Sequence, residues 1–132
     1  DQPQLLGNLS SCLAAFYRAT VELGIAASVT TFTQSDFGRT LTSNGDGTDH
    51  AWGGNQLVIG GAVAGHTLYG RYPLLQIDGP DDVGGGRMIP TTSSDQYAAK
   101  LAKWFGGGGS SLASVAPHIG NFTQPDLGFM LT

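Results

Sequence analysis

The sequence is short of charge, of cysteine and of long apolar runs. Only 12% of its 132 residues are charged, about half of the usual fraction, and 6 Lys and Arg stand against 10 Asp and Glu. A chain of this balance offers no basic patch that could neutralise a phosphate backbone, which argues against nucleic acid as a partner. Its apolar stretches are short and interrupted by Gly, whereas a membrane span needs roughly 20 apolar residues. We therefore expect neither nucleic-acid binding nor a membrane span.

The single cysteine, Cys12, excludes an internal disulfide and any cysteine-based zinc cluster. It falls on the apolar stripe of a predicted helix, where a small buried side chain is expected rather than a nucleophile. The first residues, from Asp1, contain neither a Met nor the basic and apolar segments of a signal peptide. We expect any targeting signal to lie outside this chain.

Glycine, in contrast, is abundant. It accounts for 21 of the 132 residues, about twice its average share. Such a content predicts many tight loops between short elements, because Gly allows positive φ and close backbone approach. The length suits one domain or a part of one.

The first predicted element is an amphipathic helix from Asn8 to Leu23. Apolar residues recur there at helical spacing, with Asn8 as the expected N-cap and Gly24 as the expected stop. A polar residue before the apolar period and a Gly after it are typical helix boundaries.

Two further helices are predicted in the second half of the chain. Residues Ser93–Gln96 have the Ser-x-x-Gln form of a capping box, and the helix that follows is expected to dock through Trp104 and Phe105. Gly106 begins a run of four glycines that must end this helix. A short helix is predicted at Ser110–Ala116.

Strands are predicted between these helices. Residues Ser28–Thr33 are rich in β-branched and aromatic side chains, and Gln56–Ile59 form a second strand with Thr67–Tyr69 as its candidate continuation. Residues 37–54 are polar and Gly-rich and are predicted to be a long loop, of the kind that is usually functional or disordered. Residues 70–92 are predicted to be mostly irregular. The fold class is therefore α/β.

Chemistry is expected in the loop after the first strand, because ligand sites in open α/β sheets form outside the carboxyl ends of strands. Asp36, Arg39, Asp46, Asp49 and His50 fall within this short segment. Carboxylate and imidazole suit zinc, iron or manganese, and an arginine can clamp an anionic oxygen with two hydrogen bonds. The same spacing is compatible with aspartates that cap turns, a loop histidine and a solvated arginine.

Several separated motifs occur in a fixed order along the chain. They are TQSDFGRT at 33–40, GTDHAWGG at 47–54, GGAV at 60–63, IPTT at 89–92, DQYA at 95–98 and WFG at 104–106. Together they resemble the C-terminal third of the proteins catalogued as domain of unknown function 1501, over nearly the whole chain.

This resemblance implies a fold and an activity. The family resembles the alkaline phosphatase and sulfatase superfamily, whose members hydrolyse phosphate or sulfate esters at sites with one or two metals. The implied fold is a partial three-layer α/β/α sandwich, with few strands flanked by two main helices. Residues 1–132 would form a single C-terminal segment of a larger domain, in a protein that is exported to the periplasm or beyond.

The resemblance also implies roles for particular residues. Asp36 matches the carboxylate of the superfamily's metal-binding Asp-His pair, but Phe37 stands where the histidine would follow. His50 then resembles a separate downstream histidine, or Asp49 and His50 together match the pair in another register. In either register His50 is a metal ligand, Asp36 and Asp49 compete for the carboxylate role, and Arg39 positions the anion. Zinc is the favoured metal, with iron or manganese as alternatives.

Two functions remain open at this point. In the first, the chain is part of a metal-dependent hydrolase of small anionic esters and is inactive alone, because the superfamily's nucleophile lies in an N-terminal part that this chain does not include. In the second, it is a noncatalytic binding module that has lost metal ligands, as Phe37 and the lack of a histidine at Asn55 or Gln56 suggest. In both cases uncovered apolar faces predict either self-association or docking on the missing N-terminal part.

Overall fold

The computed structural model describes residues 2–131 and has a mixed α/β architecture. The elements are α1 (Gln2–Glu22), β1 (Thr30–Phe32), β2 (Gly38–Ser43), β3 (Thr48–Ala51), β4 (Val58–Gly60), α2 (Ser94–Trp104) and α3 (Ser110–Val115). Strands β1 and β4 form one two-stranded sheet, and β2 and β3 form another. The expected α/β class is confirmed, whereas the phosphatase-like sandwich stays a prediction.

The chain divides into two compact units. One comprises Asp1–Ala62 with Pro73–Pro90, and the other comprises Val63–Tyr72 with Thr91–Thr132. The first unit holds α1 and all four strands, and the second holds α2 and α3. Along residues 2–131, no helix combines the length and the apolar character that crossing a bilayer requires.

Helix α1 ends where the sequence predicts. Gly24 has a φ of +71°, and its amide donates to Val21 O at 3.0 Å while the Ile25 amide donates to Thr20 O at 3.0 Å. This is a Schellman motif, which needs a residue in the left-handed region and so favours glycine. The predicted start is wrong, because the helix begins at Gln2 rather than after Asn8.

The expected burial of Cys12 is also wrong, since its side chain is exposed. The apolar stripe that carries it is exposed along much of its length, and the buried residue of α1 is Thr20. The helical period identified the stripe correctly, but the described part of the chain covers little of it.

The two predicted strands on either side of the 37–54 segment pair with each other. β1 and β4 are antiparallel with Thr30 opposite Gly60 and Phe32 opposite Val58. The predicted continuation at Thr67–Tyr69 is wrong, because those residues form no strand. Irregular structure across residues 70–92 is confirmed, apart from an isolated bridge between Asp82 and Met88.

The prediction of a long loop at residues 37–54 is wrong. β2 and β3 form an antiparallel hairpin with a bulge between Arg39 and Ser43. Its turn is closed by the side chain of Asn44, whose Oδ1 accepts a hydrogen bond from the Gly47 amide at 2.8 Å. Gly45 has a φ of +98°, so a residue with a side chain would be strained there.

The capping box of α2 is confirmed. Ser93 Oγ accepts from the Asp95 amide at 3.1 Å, and Gln96 Oε1 accepts from the Ser93 amide at 3.0 Å. The short helix predicted at Ser110–Ala116 is confirmed as α3. Docking through Phe105 is wrong, because this side chain is 87% exposed.

The core of the second unit is built from other residues. The Phe129 ring lies 6.0 Å from the Tyr69 ring and 5.7 Å from the Tyr97 ring, measured between centroids. Ala99, Ala116 and Met130 are buried. This core therefore contains aromatic residues from three separate segments, and Phe105 at the end of α2 is not part of it.

Candidate functional site

The candidate site lies on the hairpin of β2 and β3, whose two faces differ. Side chains alternate between the faces along each strand. Gly38, Thr40 and Ala51 are buried, and Gly38 is directly opposite Ala51. Arg39 and His50 are directly opposite each other on the other face, and both are exposed. The hairpin thus has one packed face and one face open to solvent.

Close backbone packing holds the hairpin in place. A Cβ atom on Gly38 would lie 1.6 Å from Gly53 O, so only glycine fits at this position. The Leu41 amide donates to Gly86 O at 2.9 Å, and the Gly53 amide donates to Met88 O at 3.2 Å. These contacts fix the backbone that carries the exposed face.

Three side chains meet on the exposed face, and we name them the Phe37 cluster: Phe37, Arg39 and His50. The rings of Phe37 and His50 are stacked with their centroids 3.9 Å apart and their planes 18° apart. The guanidinium carbon of Arg39 lies 5.1 Å from the centroid of the same Phe37 ring. Arg39 Nη1 also donates to Thr48 O at 2.8 Å. The cluster joins a potential metal ligand to a permanent positive charge.

Arg39 also borders a shallow polar depression beside the hairpin turn. Its lining consists of Gln2, Arg39, Asn44, Asp46, Gly47 and Thr48. Gln2 Nε2 closes one side by donating to Thr48 Oγ1 at 2.9 Å. The guanidinium group can therefore be reached from solvent, as an anion-binding arginine requires.

Asp49 serves the hairpin rather than the Phe37 cluster. It adjoins His50 in β3, so the two side chains leave the strand on opposite faces. Asp49 Oδ1 accepts from Asn44 Nδ2 at 2.8 Å, and the Asp49 amide donates to Thr40 Oγ1 at 3.1 Å. These bonds tie the turn to β3, which resembles the turn-capping role that the sequence left open.

Asp36 lies at a bend just before β2, and its side chain is exposed. It is the direct neighbour of Phe37, whose carbonyl oxygen accepts from Ser35 Oγ at 2.9 Å. Within residues 2–131 no hydrogen bond or ion pair engages the Asp36 carboxylate. This carboxylate is therefore free to bind a cation.

Asp36 and His50 have the chemistry of metal ligands, but they are too few to complete a metal site. Zinc sites in enzymes usually take three protein ligands. In the described part of the chain, no three His, Cys, Asp or Glu side chains converge. His50 and Asp36 could supply one nitrogen and one oxygen ligand, and other donors would have to complete the coordination. The roles of Asp36, Asp49 and His50 as ligands stay predictions.

Phe37 is the member of the cluster whose role the sequence did not predict, because it stands only as a departure from an Asp-His pair. A recognisable signal was present. Asn44-Gly45 and Asp46-Gly47 are strong hairpin turn signals. A hairpin over residues 38–51 places Arg39 and His50 within reach of one another, and Phe37 is two residues before Arg39 and so on the same face.

Comparison with known proteins adds one finding. Neither the curated proteins nor the solved structures include a match to this chain. The family described as a protein of unknown function, DUF1501, matches residues 1–83. This stretch contains both sheets and the whole Phe37 cluster. Because the match covers more than half of the chain, the protein belongs to the DUF1501 family.

Proposed function

We propose that this chain supplies part of the active site of an exported, metal-dependent hydrolase of phosphate or sulfate esters. His50 and Asp36 are the metal ligands, and Arg39 binds the anionic group of the ester. The observation that carries the proposal is the pairing of Arg39 directly opposite His50 on the exposed face of the hairpin. An imidazole and a guanidinium placed together are suited to a metal and to an anionic oxygen, respectively.

The choice of Asp36 over Asp49 has a geometric basis. The Asp49 side chain leaves β3 on the face opposite to His50, and its carboxylate already accepts a hydrogen bond from Asn44. Asp36 is one residue from Phe37, whose ring is stacked on His50. The Asp36 carboxylate has no hydrogen-bond partner within residues 2–131, whereas that of Asp49 is already engaged, so Asp36 is the freer of the two to bind a metal.

Arg39 can bind an anion without leaving its present position. One of its five N–H groups is used by Thr48 O. The others have no hydrogen-bond partner within residues 2–131, so they can form the paired bonds that phosphate or sulfate oxygens accept. When bound, a divalent metal would supply Lewis-acid activation of the ester.

We expect the chain to bind metal and anion without turning over an ester, because His50 and Asp36 supply only two protein ligands. Completion of the site would come from the rest of a larger protein or from a second copy. The exposure of α1 supports such a partner, since Leu5, Leu6 and Phe16 are 65%, 64% and 52% exposed.

A second function is a noncatalytic binding module. It is supported by the absence of three converging metal donors within residues 2–131 and by Phe37 in the place of a histidine. In this alternative the Phe37 cluster binds an anion through Arg39 alone. Zinc titration separates the two functions, because only the hydrolase proposal requires a metal site at His50.

The test is isothermal titration of the full chain with ZnCl2, comparing the unchanged protein with His50→Ala and Asp36→Asn. Each variant should bind zinc at least about tenfold more weakly, because each loses a proposed ligand. His118→Ala is the matched control, since it removes another exposed histidine outside the hairpin. Equal zinc binding by the unchanged protein and His50→Ala would contradict the proposed metal site and favour the noncatalytic module.

A further inference from the structure

The orientation of the His50 ring has an unusual origin. Histidines that bind metals commonly donate their second ring N–H to a carboxylate or carbonyl, which fixes the plane of the ring. In the described part of the chain no hydrogen bond holds either ring nitrogen of His50. The contact that sets its plane is the stack on Phe37, with 3.9 Å between centroids and 18° between planes.

A stack of this kind leaves the imidazole able to bind a ligand. The lone pair of a ring nitrogen lies in the plane of the ring and points away from its edge. Phe37 covers one face of the imidazole and therefore does not block either nitrogen. The stack restricts rotation of the ring while both edges stay open, which is what a positioned metal ligand needs.

The same Phe37 ring also faces Arg39, whose guanidinium carbon lies 5.1 Å from the ring centroid. This distance is within the range of a cation–π interaction. Phe37 is 38% exposed and lies on the solvent side of the hairpin, so filling the core is not its main role. Its ring contacts are with the two side chains that carry chemistry.

We propose that Phe37 is a positioning residue that holds His50 and Arg39 in a fixed arrangement for a metal ion and an anion. This inference rests on the proposed function, because it assigns Phe37 a task only if His50 binds a metal. It also gives a role to Phe37, which stands after Asp36 in the place of a histidine. Phe37 supplies no ligand, but it orients the ligand that β3 provides.

The experiment compares zinc binding by Phe37→Leu and Phe37→Tyr in the full chain. Phe37→Leu keeps an apolar side chain but removes the aromatic face, and it should weaken zinc binding by about threefold to tenfold, the equivalent of one stacked aromatic pair. Phe37→Tyr keeps the ring and should bind zinc as the unchanged protein does. Phe32→Leu, at another half-exposed phenylalanine, is the matched control and should have no effect.

A second readout follows the ring itself. The ring current of Phe37 should shift the His50 ring protons upfield in the NMR spectrum of the metal-free protein and of Phe37→Tyr. In Phe37→Leu these signals should return toward the positions of an unstacked histidine, whereas in Phe32→Leu they should not move. Circular dichroism of each variant checks that the fold is retained, and the Phe37→Tyr protein keeps the comparison usable if Phe37→Leu folds poorly.

The outcomes distinguish this inference from the function on which it rests. If His50→Ala loses zinc but Phe37→Leu binds it as tightly as the unchanged protein, the positioning role is overturned and the metal site stands. If His50→Ala binds zinc like the unchanged protein, the metal site is overturned, and the positioning role with it. Weak zinc binding by both Phe37→Leu and Phe37→Tyr would also overturn the positioning role, because an aromatic ring at this position would then not be enough to maintain zinc binding.

Discussion

The two faces of the hairpin formed by β2 and β3 differ in how closely they are packed. On the packed face, a Cβ atom at Gly38 would overlap the carbonyl oxygen of Gly53 at 1.6 Å, and Thr40 and Ala51 are buried beside it. On the open face, Arg39 and His50 are exposed, and both side chains contact the ring of Phe37. Backbone contact dictates residue size on the first face, whereas Arg39 and His50 on the second face are exposed to solvent.

This difference separates stability from chemistry within one small element. Residues on the packed face fix where the strands lie, so their replacement should unfold the hairpin. Residues on the open face contribute few contacts, so their replacement should change binding and leave the fold intact. The comparison can be tested with variants of decreasing expected effect.

The largest effect is expected for Gly38→Ala. The added methyl group would overlap Gly53 O, and a backbone atom can move away only if the segment shifts. We expect the free energy of unfolding to fall by about 3 kcal/mol or more, at the upper end of overpacking costs. Urea denaturation followed by circular dichroism measures this change.

Gly7→Ala is the matched control for that substitution. Gly7 lies within α1, and a Cβ atom there would meet nothing within 4 Å. The same chemical change should therefore raise the free energy of unfolding by up to about 1 kcal/mol, because Ala is the better helix former. A loss of stability in Gly38→Ala no larger than about 0.5 kcal/mol would show that the backbone on the packed face can shift to accommodate the methyl group.

The next effect concerns Thr40, which is buried on the packed face. Its Oγ1 donates to Thr42 O at 2.8 Å and accepts from the Asp49 amide at 3.1 Å. Thr40→Val keeps the size but removes both bonds, so we expect a loss of about 2 kcal/mol. Thr67→Val, at an exposed threonine outside the hairpin, should cost much less in the same urea titration.

An acid-dependent effect is expected from the segment that runs beside the hairpin. Asp82 Oδ2 accepts from the amides of Asp78 at 2.9 Å and Gly86 at 3.1 Å, and Oδ1 accepts from Gly84 at 2.8 Å. These hydrogen bonds, led by that from Asp78, hold the pKa of Asp82 below its usual value. Gly86 in turn accepts from the Leu41 amide of β2, so the segment and the hairpin are coupled.

The direction of the pH dependence follows from this lowered pKa. A carboxylate whose pKa is lower in the folded state stabilises the protein above its unfolded pKa and loses that contribution as the pH falls through the folded pKa. We expect stability to decrease below about pH 4, and Asp82→Asn should make this decrease shallower. Asp46→Asn is the control, because the Asp46 carboxylate has no hydrogen-bond partner within residues 2–131.

Some acid dependence should survive in Asp82→Asn. In the other unit, a hydrogen bond from Lys100 lowers the pKa of Asp126, and the two groups form an ion pair at 2.9 Å. Protonation of Asp126 would leave the buried Lys100 without its partner. An unfolding midpoint in Asp82→Asn that depends on pH as steeply as in the unchanged protein would mean that Asp126 dominates.

The C-terminus of α1 and the N-terminus of α2 were the most predictable parts of the fold. Gly24 and the Ser93–Gln96 capping box act through hydrogen bonds between near neighbours, so a short stretch of sequence contains the whole cause. The exposure of the Cys12 and Phe105 side chains could not be predicted in this way. Whether an apolar side chain is buried depends on what the rest of the chain places over it, and periodicity contains no such information.

The hairpin was missed for a related reason. Its packed face carries small or hydroxyl side chains such as Gly38, Thr40 and Ala51, and its apolar Leu41 is exposed, so the usual apolar alternation is absent. The candidate residues Asp36, Arg39, Asp49 and His50 could be named from chemistry alone. Their division between two faces, and the stack of Phe37 on His50, depend on a strand register that includes a bulge.

The smallest effect on stability is expected on the open face. His50→Ala and Arg39→Lys should each change the free energy of unfolding by less than about 1 kcal/mol, because exposed side chains with few contacts contribute little. The same two variants should weaken zinc and inorganic phosphate binding, respectively, since Lys cannot reproduce the paired hydrogen bonds of Arg. If His50→Ala instead destabilised the protein as much as Thr40→Val while zinc binding stayed unchanged, the open face would be structural. His50 would then be a structural histidine that stabilises the hairpin, and the division between a packed face for folding and an open face for binding would not hold.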